Sequence, residues 1–303
     1  KRLKSFNHPK RKKNIKIDSH VNFIIKQINK SKKPVIILGG GIKYAKAEKK
    51  LQNFLKNLDI PIVSTWSGVD LIDHSEKKYI GNIGVYGSRA ANFTIQNSDL
   101  FISLGTRLDT RVTGGVPKNF ARKAQKIMVD IDRNELNKKR GLKIDLKVNE
   151  NVKNFIDKFT KANKSKISKK EWLNKCFYWK NKYPLVQKKF LKEKKYVNPY
   201  IFIEHLSKIL TKKDIIIADD GGHLTWTLQA FKVKYGQKLF SAFGNSPMGY
   251  SLPASIGASV AKKNNRIICI DGDGSIQINL QELHTIDKLK LPIKVFILNN
   301  NGY

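Results

Sequence analysis

Residues 266–300 read RIICIDGDGSIQINLQELHTIDKLKLPIKVFILNN, and this stretch decides the fold of the C-terminal part of the chain. The apolar runs at 266–270 and 293–298 are typical of buried strands. Between them, residues 279–289 follow a glycine turn and carry apolar side chains at a helical spacing. A strand, a helix and a second strand of these lengths predict a parallel β-α-β unit.

Two polar side chains follow the two predicted strands. Asp273 comes after the first strand and Asn300 after the second, so both should lie at the C-terminal edge of one sheet, where α/β proteins bind ligands. A carboxylate and an amide oxygen suit Mg²⁺ or Ca²⁺ when phosphates and water complete the coordination. Gly272 and Gly274 allow the backbone to approach closely, and the next segment offers N–H groups to an anion. The spacing favours a metal-bridged diphosphate over the alternative, an ordinary turn with a capping Asp.

The Gly-Asp-Gly-Ser motif at 272–275 and the Asn-Asn pair at 299–300 resemble the signature of the thiamine diphosphate enzymes. This resemblance implies thiamine diphosphate and Mg²⁺ as cofactors. It also implies that the metal is bound by the side chains of Asp273 and Asn300 and by the backbone carbonyl of Gly302.

Two further motifs resemble acetolactate synthase-like members of that family. His223 follows a predicted strand and two glycines, where those enzymes have a diphosphate-contacting Gly-Gln-His; here Gly222 replaces the Gln. From the residues alone, a helix cap with an incidental His explains this motif equally well. Met248 follows Ser246 in a small-residue turn and matches the family's apolar wedge against the cofactor, the alternative being a core Met. The implied cofactor-binding residues are Gly221, Gly222, His223, Ser246, Met248, Gly272, Asp273, Gly274, Ser275 and Asn300.

The first half of the chain shows the same alternation of elements. Apolar runs at 34–38, 60–63, 100–104 and 126–131 are typical of buried strands and are separated by helical patterns. Strands that alternate with helices predict a doubly wound parallel sheet.

The segment at 105–111 reads Gly-Thr-Arg-Leu-Asp-Thr-Arg and directly follows one of these strands. Two arginines and an Asp at a strand end suit an anionic nucleotide, although a surface ion-pair loop is the alternative. The segment resembles the flavin-contacting loop of acetolactate synthases, and this implies a flavin (FAD) site. Tyr86 stands where those enzymes carry a His. The implied flavin residues are Gly39, Gly40, Gly41, Gly105, Arg107, Asp109, Arg111 and Asp130.

The composition is strongly basic, with 59 Lys and Arg against 24 Asp and Glu and a formal net charge of +35 over 303 residues. Such a charge raises nucleic acid as a partner. Lys greatly outnumbers Arg, however, and no aromatic residues alternate with Arg as they would in a base-stacking surface, so nucleic-acid binding is the minor alternative. No apolar stretch approaches the ~20 residues of a membrane helix. Cys176 and Cys269 lie far apart, which favours a reducing cytoplasm.

These observations predict an α/β protein with two doubly wound parallel-sheet domains. We expect a basic linker at 1–16, a Rossmann-like central domain at 17–162, a connecting helix at 163–195 and a thiamine diphosphate-binding domain at 196–303. Relative to the resembled family, the chain is expected to be truncated at both ends. The activating Glu, which is the catalytic residue, would then lie in a missing N-terminal pyrimidine-binding domain.

The resemblance implies an acetolactate synthase-like transferase of branched-chain amino acid biosynthesis that converts pyruvate to acetolactate. The nearest alternative is a related decarboxylase or lyase acting on another 2-keto acid. The implied partners are a second copy of the chain, as a homodimer or larger homo-oligomer, and a small regulatory subunit.

Overall fold

A computed structural model describes residues 16–263 and 265–302 of the chain. Two parallel sheets, each covered by helices, confirm the predicted α/β class. Except for Lys16, the linker expected at 1–16 lies outside the described residues. Within the described residues, every helix is too short or too polar to cross a bilayer.

The first sheet is built from the buried apolar runs of the N-terminal half. Strands in this part of the chain are β1 (Pro34–Leu38), β2 (Leu58–Asp59), β3 (Ile62–Ser64), β4 (Tyr79–Asn82), β5 (Leu100–Leu104), β6 (Gln125–Asp130), β7 (Leu146–Asn149) and β8 (Ile167–Ser168). The sheet has the order β4-β3-β1-β5-β6-β7 with all pairs parallel, while β2 and β8 form a small pair of their own.

Helices pack on both faces of this sheet. They are α1 (Ile17–Lys30), α2 (Gly41–Tyr44), α3 (Glu48–Lys56), α4 (Arg89–Gln96), α5 (Thr110–Thr113), α6 (Arg133–Asn137), α7 (Val152–Ala162) and the connecting helix α8 (Lys170–Lys182). The strand order reverses between β1 and β5, because the chain builds β3 and β4 on one side of β1 and then returns to build β5, β6 and β7 on the other. Such a reversal opens a crevice at the C-terminal ends of the two central strands.

The second sheet repeats this plan on a smaller scale. Its elements are α9 (Pro199–Ile209), β9 (Ile215–Ala218), α10 (Gly222–Ala230), β10 (Lys238–Phe240), α11 (Ser251–Ala261), β11 (Ile267–Gly272), α12 (Glu282–Lys288) and β12 (Ile293–Leu298). The parallel order is β10-β9-β11-β12, so the reversal lies between β9 and β11.

One predicted helix is wrong in its extent. The single helix expected at 279–289 is instead a 3₁₀ turn at Ser275–Asn279 followed by the short helix α12. The Asn279 side chain donates a hydrogen bond to the Gly249 carbonyl at 2.6 Å, and this ties the segment to the neighbouring loop. Because that contact belongs to the tertiary fold, the apolar spacing could not indicate it.

The two halves of the chain are packed against each other. Trp66 and Val69 of the first half belong to the same apolar cluster as Leu224 and Leu228 of the second. The Asn82 side chain donates to the Leu228 carbonyl at 2.6 Å. Residues from both halves therefore surround the cavity described below.

Candidate functional site

The C-terminal edge of the second sheet brings together the residues that follow β11 and β12. The parallel register pairs Gly272 with Leu298, so Asp273 and Asn299 come next on adjacent strands. The Gly302 N–H donates to Asp273 Oδ2 at 3.2 Å. Asp273 is half-buried and Asn300 is exposed. The turn after β12 therefore folds back onto the Gly-Asp-Gly-Ser turn, as the predicted metal site requires.

His223 lies on the first turn of α10, beside the same edge. Its side chain is buried, and its Nε2 has no hydrogen-bond partner among the described residues. Burial lowers the pKa of His223, so the ring is neutral at pH 7. A Cβ placed on Gly272 would lie 2.9 Å from Nδ1, so only glycine leaves room for the ring there. A buried, unpartnered ring nitrogen costs free energy, and a hydrogen-bonding ligand such as a diphosphate would relieve that cost.

Two fully buried carboxylates, Asp219 and Asp271, support this edge. Asp219 follows β9 and accepts hydrogen bonds from the N–H groups of Asp220, Gly249 and Ser251 at 2.7, 3.0 and 2.7 Å. Burial raises the pKa of Asp219, and the neighbouring Asp271 raises it further. Asp219 therefore fastens the loop before α11 to the end of β9.

Asp271 is the last residue but one of β11, and it accepts from the Ser251 hydroxyl at 2.6 Å, from the Gly272 N–H at 2.8 Å and from the Ser275 hydroxyl. Ligand atoms of Asp219, His223 and Asp271 all lie within 4.8 Å of one another, a spacing that would suit a metal. However, each oxygen of the two carboxylates already accepts a hydrogen bond from protein. We therefore interpret the cluster as a support for the loops, a role that sequence reasoning missed. The position of each Asp at the end of a central strand was the signal that could have indicated it.

The loop that carries Ser246 and Met248 joins the two halves of the chain. Ser246 has a positive φ of 46°, and its hydroxyl donates to the Phe243 carbonyl at 2.9 Å. The same hydroxyl accepts from Arg111 Nη1 at 2.5 Å. Met248 is 39% exposed, so it is not a core Met within the described residues. Its side chain is free to contact a ligand at the edge of the sheet.

A cavity of about 630 Å³ lies at the reversal of the first sheet. Its walls are the loops after β1, β3, β5 and β6 together with residues 241–245 of the second half. Gly105 has a positive φ of 60°, and its carbonyl accepts from the Gly41 N–H at 2.9 Å. A Cβ on Gly39 would lie 2.2 Å from the Gly105 oxygen, so the close approach of these loops requires glycine there.

The structure brings most of the predicted flavin residues to this cavity. Six of them line it, namely Gly40, Gly41, Gly105, Arg107, Asp109 and Asp130. Gly39 does not line it and instead donates its N–H to the Leu104 carbonyl at 2.9 Å. Arg111 does not line it either, because the short helix α5 directs this side chain toward Ser246.

Arg111 forms an aromatic stack at the boundary between the two halves. Its guanidinium carbon lies 4.7 Å from the centroid of the Trp66 ring, and Tyr86 stacks on Trp66 with the centroids 5.7 Å apart. Trp66 lines the cavity, but Tyr86 lies behind it and does not. Of the two aromatic residues, Trp66 therefore limits the room available to a flat ring.

Comparison with known proteins matches both halves of the chain to one enzyme family. Residues 21–159 match the thiamine pyrophosphate enzyme central domain, and residues 219–303 match the thiamine pyrophosphate enzyme C-terminal TPP binding domain. Thiamine pyrophosphate is the cofactor called thiamine diphosphate above.

Several curated relatives are named acetolactate synthase. The chain is 37% identical over 281 residues to the acetolactate synthase large subunit of Cyanidium caldarium, covering 91% of the chain and 47% of the relative. It is 34% identical over 287 residues to the chloroplastic acetolactate synthase of Arabidopsis thaliana, covering 93% and 42%. The large subunit of Lactococcus lactis is 31% identical over 285 residues, covering 94% and 48%. The chain thus spans about half the length of the curated relatives it matches.

Proposed function

Because the chain belongs to the thiamine pyrophosphate enzymes, we propose that the whole protein is an acetolactate synthase-like transferase. It decarboxylates pyruvate and joins the remaining two-carbon unit to a second pyruvate, which gives acetolactate for branched-chain amino acid biosynthesis. One observation carries this proposal: Asp273, the turn at Gly302 and the unpartnered His223 converge at the reversal of the second sheet. The names of the relatives support the choice of substrate.

The residues at this edge fit the cofactor and its metal. Asp273, Asn300 and the Gly302 carbonyl would bind Mg²⁺, since they supply the hard oxygen atoms that this ion prefers. His223 Nε2 would meet a diphosphate oxygen, with Gly221 leaving room for the ring, while Gly222 leaves room for the neighbouring Trp226 side chain. Met248 would support the rings of the cofactor. When bound, thiamine diphosphate supplies the carbon nucleophile and the electron sink for decarboxylation.

The alternative is a related thiamine diphosphate decarboxylase or lyase that acts on another 2-keto acid. The residues that select the acceptor in the resembled enzymes largely lie outside the parts matched here. Comparing pyruvate with other 2-keto acids as sole substrates separates the two proposals.

We also propose a flavin site in the first cavity. Its place at the reversal of a doubly wound sheet suits a dinucleotide. Arg107 would pair with a phosphate, and Asp130 lies at the end of the next strand, where a carboxylate can accept from a ribose hydroxyl.

Further proposals concern assembly and compartment. A homodimer with a small regulatory subunit follows from the resemblance, and the exposed Val260 on α11 suits a helix that packs on a second copy. A reducing cytoplasm suits Cys176 and Cys269, because both are buried free thiols whose pKa is raised by burial.

The first prediction tests the activity. The protein encoded by the whole reading frame that contains these residues, purified with Mg²⁺ and thiamine diphosphate, should form acetolactate from pyruvate. Acetolactate is decarboxylated after the reaction, and the resulting compound is measured by its colour reaction. Omitting either cofactor after dialysis against a chelator should abolish the reaction. Turnover of a different 2-keto acid, with none of pyruvate, would favour the alternative enzyme.

The 303 residues alone provide the control. They should show no turnover, because the resembled family takes its activating Glu from a pyrimidine-binding domain that these residues do not match. Acetolactate formed by this polypeptide at the rate of the whole protein would contradict that assignment.

The second prediction tests the flavin site. The whole protein should purify with flavin absorbance in the visible blue, and Arg107→Ala should lower its flavin content at least tenfold through the loss of a charged hydrogen bond, about 1.5–3 kcal/mol. Arg122→Ala, at an exposed Arg that does not line the cavity, serves as the control. Flavin retained in Arg107→Ala would show that Arg107 does not hold it.

A further inference from the structure

A second cavity, of about 410 Å³, lies between α8, β4, α9 and α10. Its walls share no residue with the cavity at the first sheet, and they include none of the residues implied to bind thiamine diphosphate or flavin. Neither the proposed activity nor the family resemblance gives it a role.

Lys180 brings a positive charge to this cavity from α8. Its ammonium group donates to the carbonyls of Tyr79 at 2.6 Å and His74 at 3.5 Å, and it lies 5.7 Å from the centroid of the Tyr79 ring. Within the described residues it forms no ion pair with a carboxylate. The carbonyl groups orient the charge without neutralising it.

Lys232, an exposed residue two positions after the last residue of α10, brings a second positive charge. In the part of the chain that the structure describes, its ammonium group makes neither a hydrogen bond nor an ion pair. Burial, and to a smaller extent the charge of Lys232, lower the pKa of Lys180 to about 8. Burial also lowers the pKa of Lys232. The two cations thus repel each other beside a cavity.

The acidic groups nearby do not balance these charges. Glu204 lines the cavity and stabilises charged Lys232, but its carboxylate lies 3.1 Å from the Lys208 ammonium. Asp73 accepts hydrogen bonds from the backbone N–H groups of Ser75 and Tyr235.

Two further groups around the lysines carry no compensating charge. Burial lowers the pKa of His74 to about 4, so it is neutral at pH 7. Burial raises the pKa of Tyr79, which is therefore neutral as well. Asp70, a further carboxylate near Tyr79, forms an ion pair with Lys43 at 2.9 Å. The cavity therefore keeps an excess of positive charge.

The remaining walls are largely apolar, with Ile80, Leu185, Val186 and Leu228 among them. Lys180 is half-buried and has no ion pair, a costly state that a bound anion would relieve, while exposed Lys232 adds a second positive charge at the rim. A compact inorganic anion would leave the apolar walls unfilled. We propose that this cavity binds a small organic carboxylate with an apolar body, the carboxylate at Lys180 and Lys232 and the body against Leu185 and Leu228.

The test compares four probes that separate charge from apolar area. Binding of hexanoate, hexan-1-ol, acetate and inorganic phosphate to the purified protein is measured by titration calorimetry and ligand-observed NMR. Hexanoate should bind at least tenfold more tightly than each of the other three. If hexan-1-ol bound as tightly as hexanoate, the lysines would not contribute to binding. If acetate or phosphate bound as tightly as hexanoate or more tightly, the apolar walls would not contribute. Either result overturns the proposal.

Variants locate the binding. Lys232→Met loses no hydrogen bond seen in the described residues, so it should fold, and it should bind hexanoate at least tenfold more weakly. Lys182→Met is the matched control, since Lys182 lies on α8 two positions from Lys180, is exposed and does not line the cavity. Unchanged binding by Lys232→Met, or an equal loss in Lys182→Met, would overturn the assignment.

The pH profile gives an independent readout. Because the pKa of Lys180 is about 8, the affinity for hexanoate should be constant from pH 6 to 7.5 and fall as the pH rises through 8. If neither lysine held the carboxylate, the profile would be flat. Equal affinity at pH 7 and pH 9.5 would contradict a carboxylate held by this lysine.

Discussion

Asp273→Ala should abolish the Mg²⁺-dependent binding of thiamine diphosphate by the whole protein. The substitution removes the only side-chain carboxylate proposed to face the divalent ion, and it also removes the oxygen that accepts from the Gly302 N–H. Losing one partner of a partly buried charge pair costs roughly 3 kcal/mol or more, which corresponds to at least ~100-fold in affinity. Calorimetric titration of thiamine diphosphate in the presence of Mg²⁺ measures this change.

The chain offers a matched control for that experiment. Asp287 is an exposed carboxylate on α12 whose ion pair is with Lys290, so Asp287→Ala should leave the affinity unchanged. The 303 residues by themselves should bind the cofactor only weakly, because the resembled family completes the site with a further domain. Tight binding of thiamine diphosphate that persists in Asp273→Ala would contradict the assignment of the metal site.

Asp219→Ala should destabilise the chain by about 3 kcal/mol or more. The substitution leaves three backbone N–H groups without their acceptor, and each unsatisfied buried N–H costs about 1–3 kcal/mol. The destabilisation should appear as a lower midpoint in urea and a lower temperature of unfolding. Binding of the cofactor should weaken as well, because the loop that carries Met248 loses its attachment to β9.

Asp220→Ala is the control for this prediction. Asp220 is the next residue and is half-buried, but its side chain makes no hydrogen bond in the described residues. Its replacement should therefore change the free energy of unfolding by less than ~1 kcal/mol. Equal stabilities for the two variants would show that the hydrogen bonds of Asp219 do not hold the loop.

Much of the sheet structure could be predicted from the sequence because parallel strands are buried on both faces. Strands β1 and β5 are buried throughout and begin and end where their apolar runs do. Strand β12 also matches its apolar run, but it is an edge strand on which Lys294 and Ile297 are exposed. Strand β4 could not be found in this way, since Tyr-Ile-Gly-Asn has no apolar run and is a strand through its pairing with β3.

The candidate sites could be predicted as far as strand ends determine them. Asp273 and Asn300 follow adjacent parallel strands, so their proximity follows from topology. The direction of Arg111 could not be predicted, because a four-residue helix turns it away from the loop that holds Arg107 and toward a serine far along the chain. The proximity of Lys180 and Lys232 could not be predicted either, because it depends on how the connecting helix α8 packs against the second half of the chain.

The loop at 241–251 serves both sheets. Its first part lines the cavity at the first sheet, and its last part is held by Asp219 beside the residues proposed to bind thiamine diphosphate in the second. Two binding equilibria that depend on the conformation of the same segment are thermodynamically linked. If a nucleotide bound in the first cavity changes the dissociation constant of the cofactor by some factor, the cofactor changes the dissociation constant of the nucleotide by the same factor. A substitution in this loop that changes one dissociation constant therefore has to be judged by its effect on both.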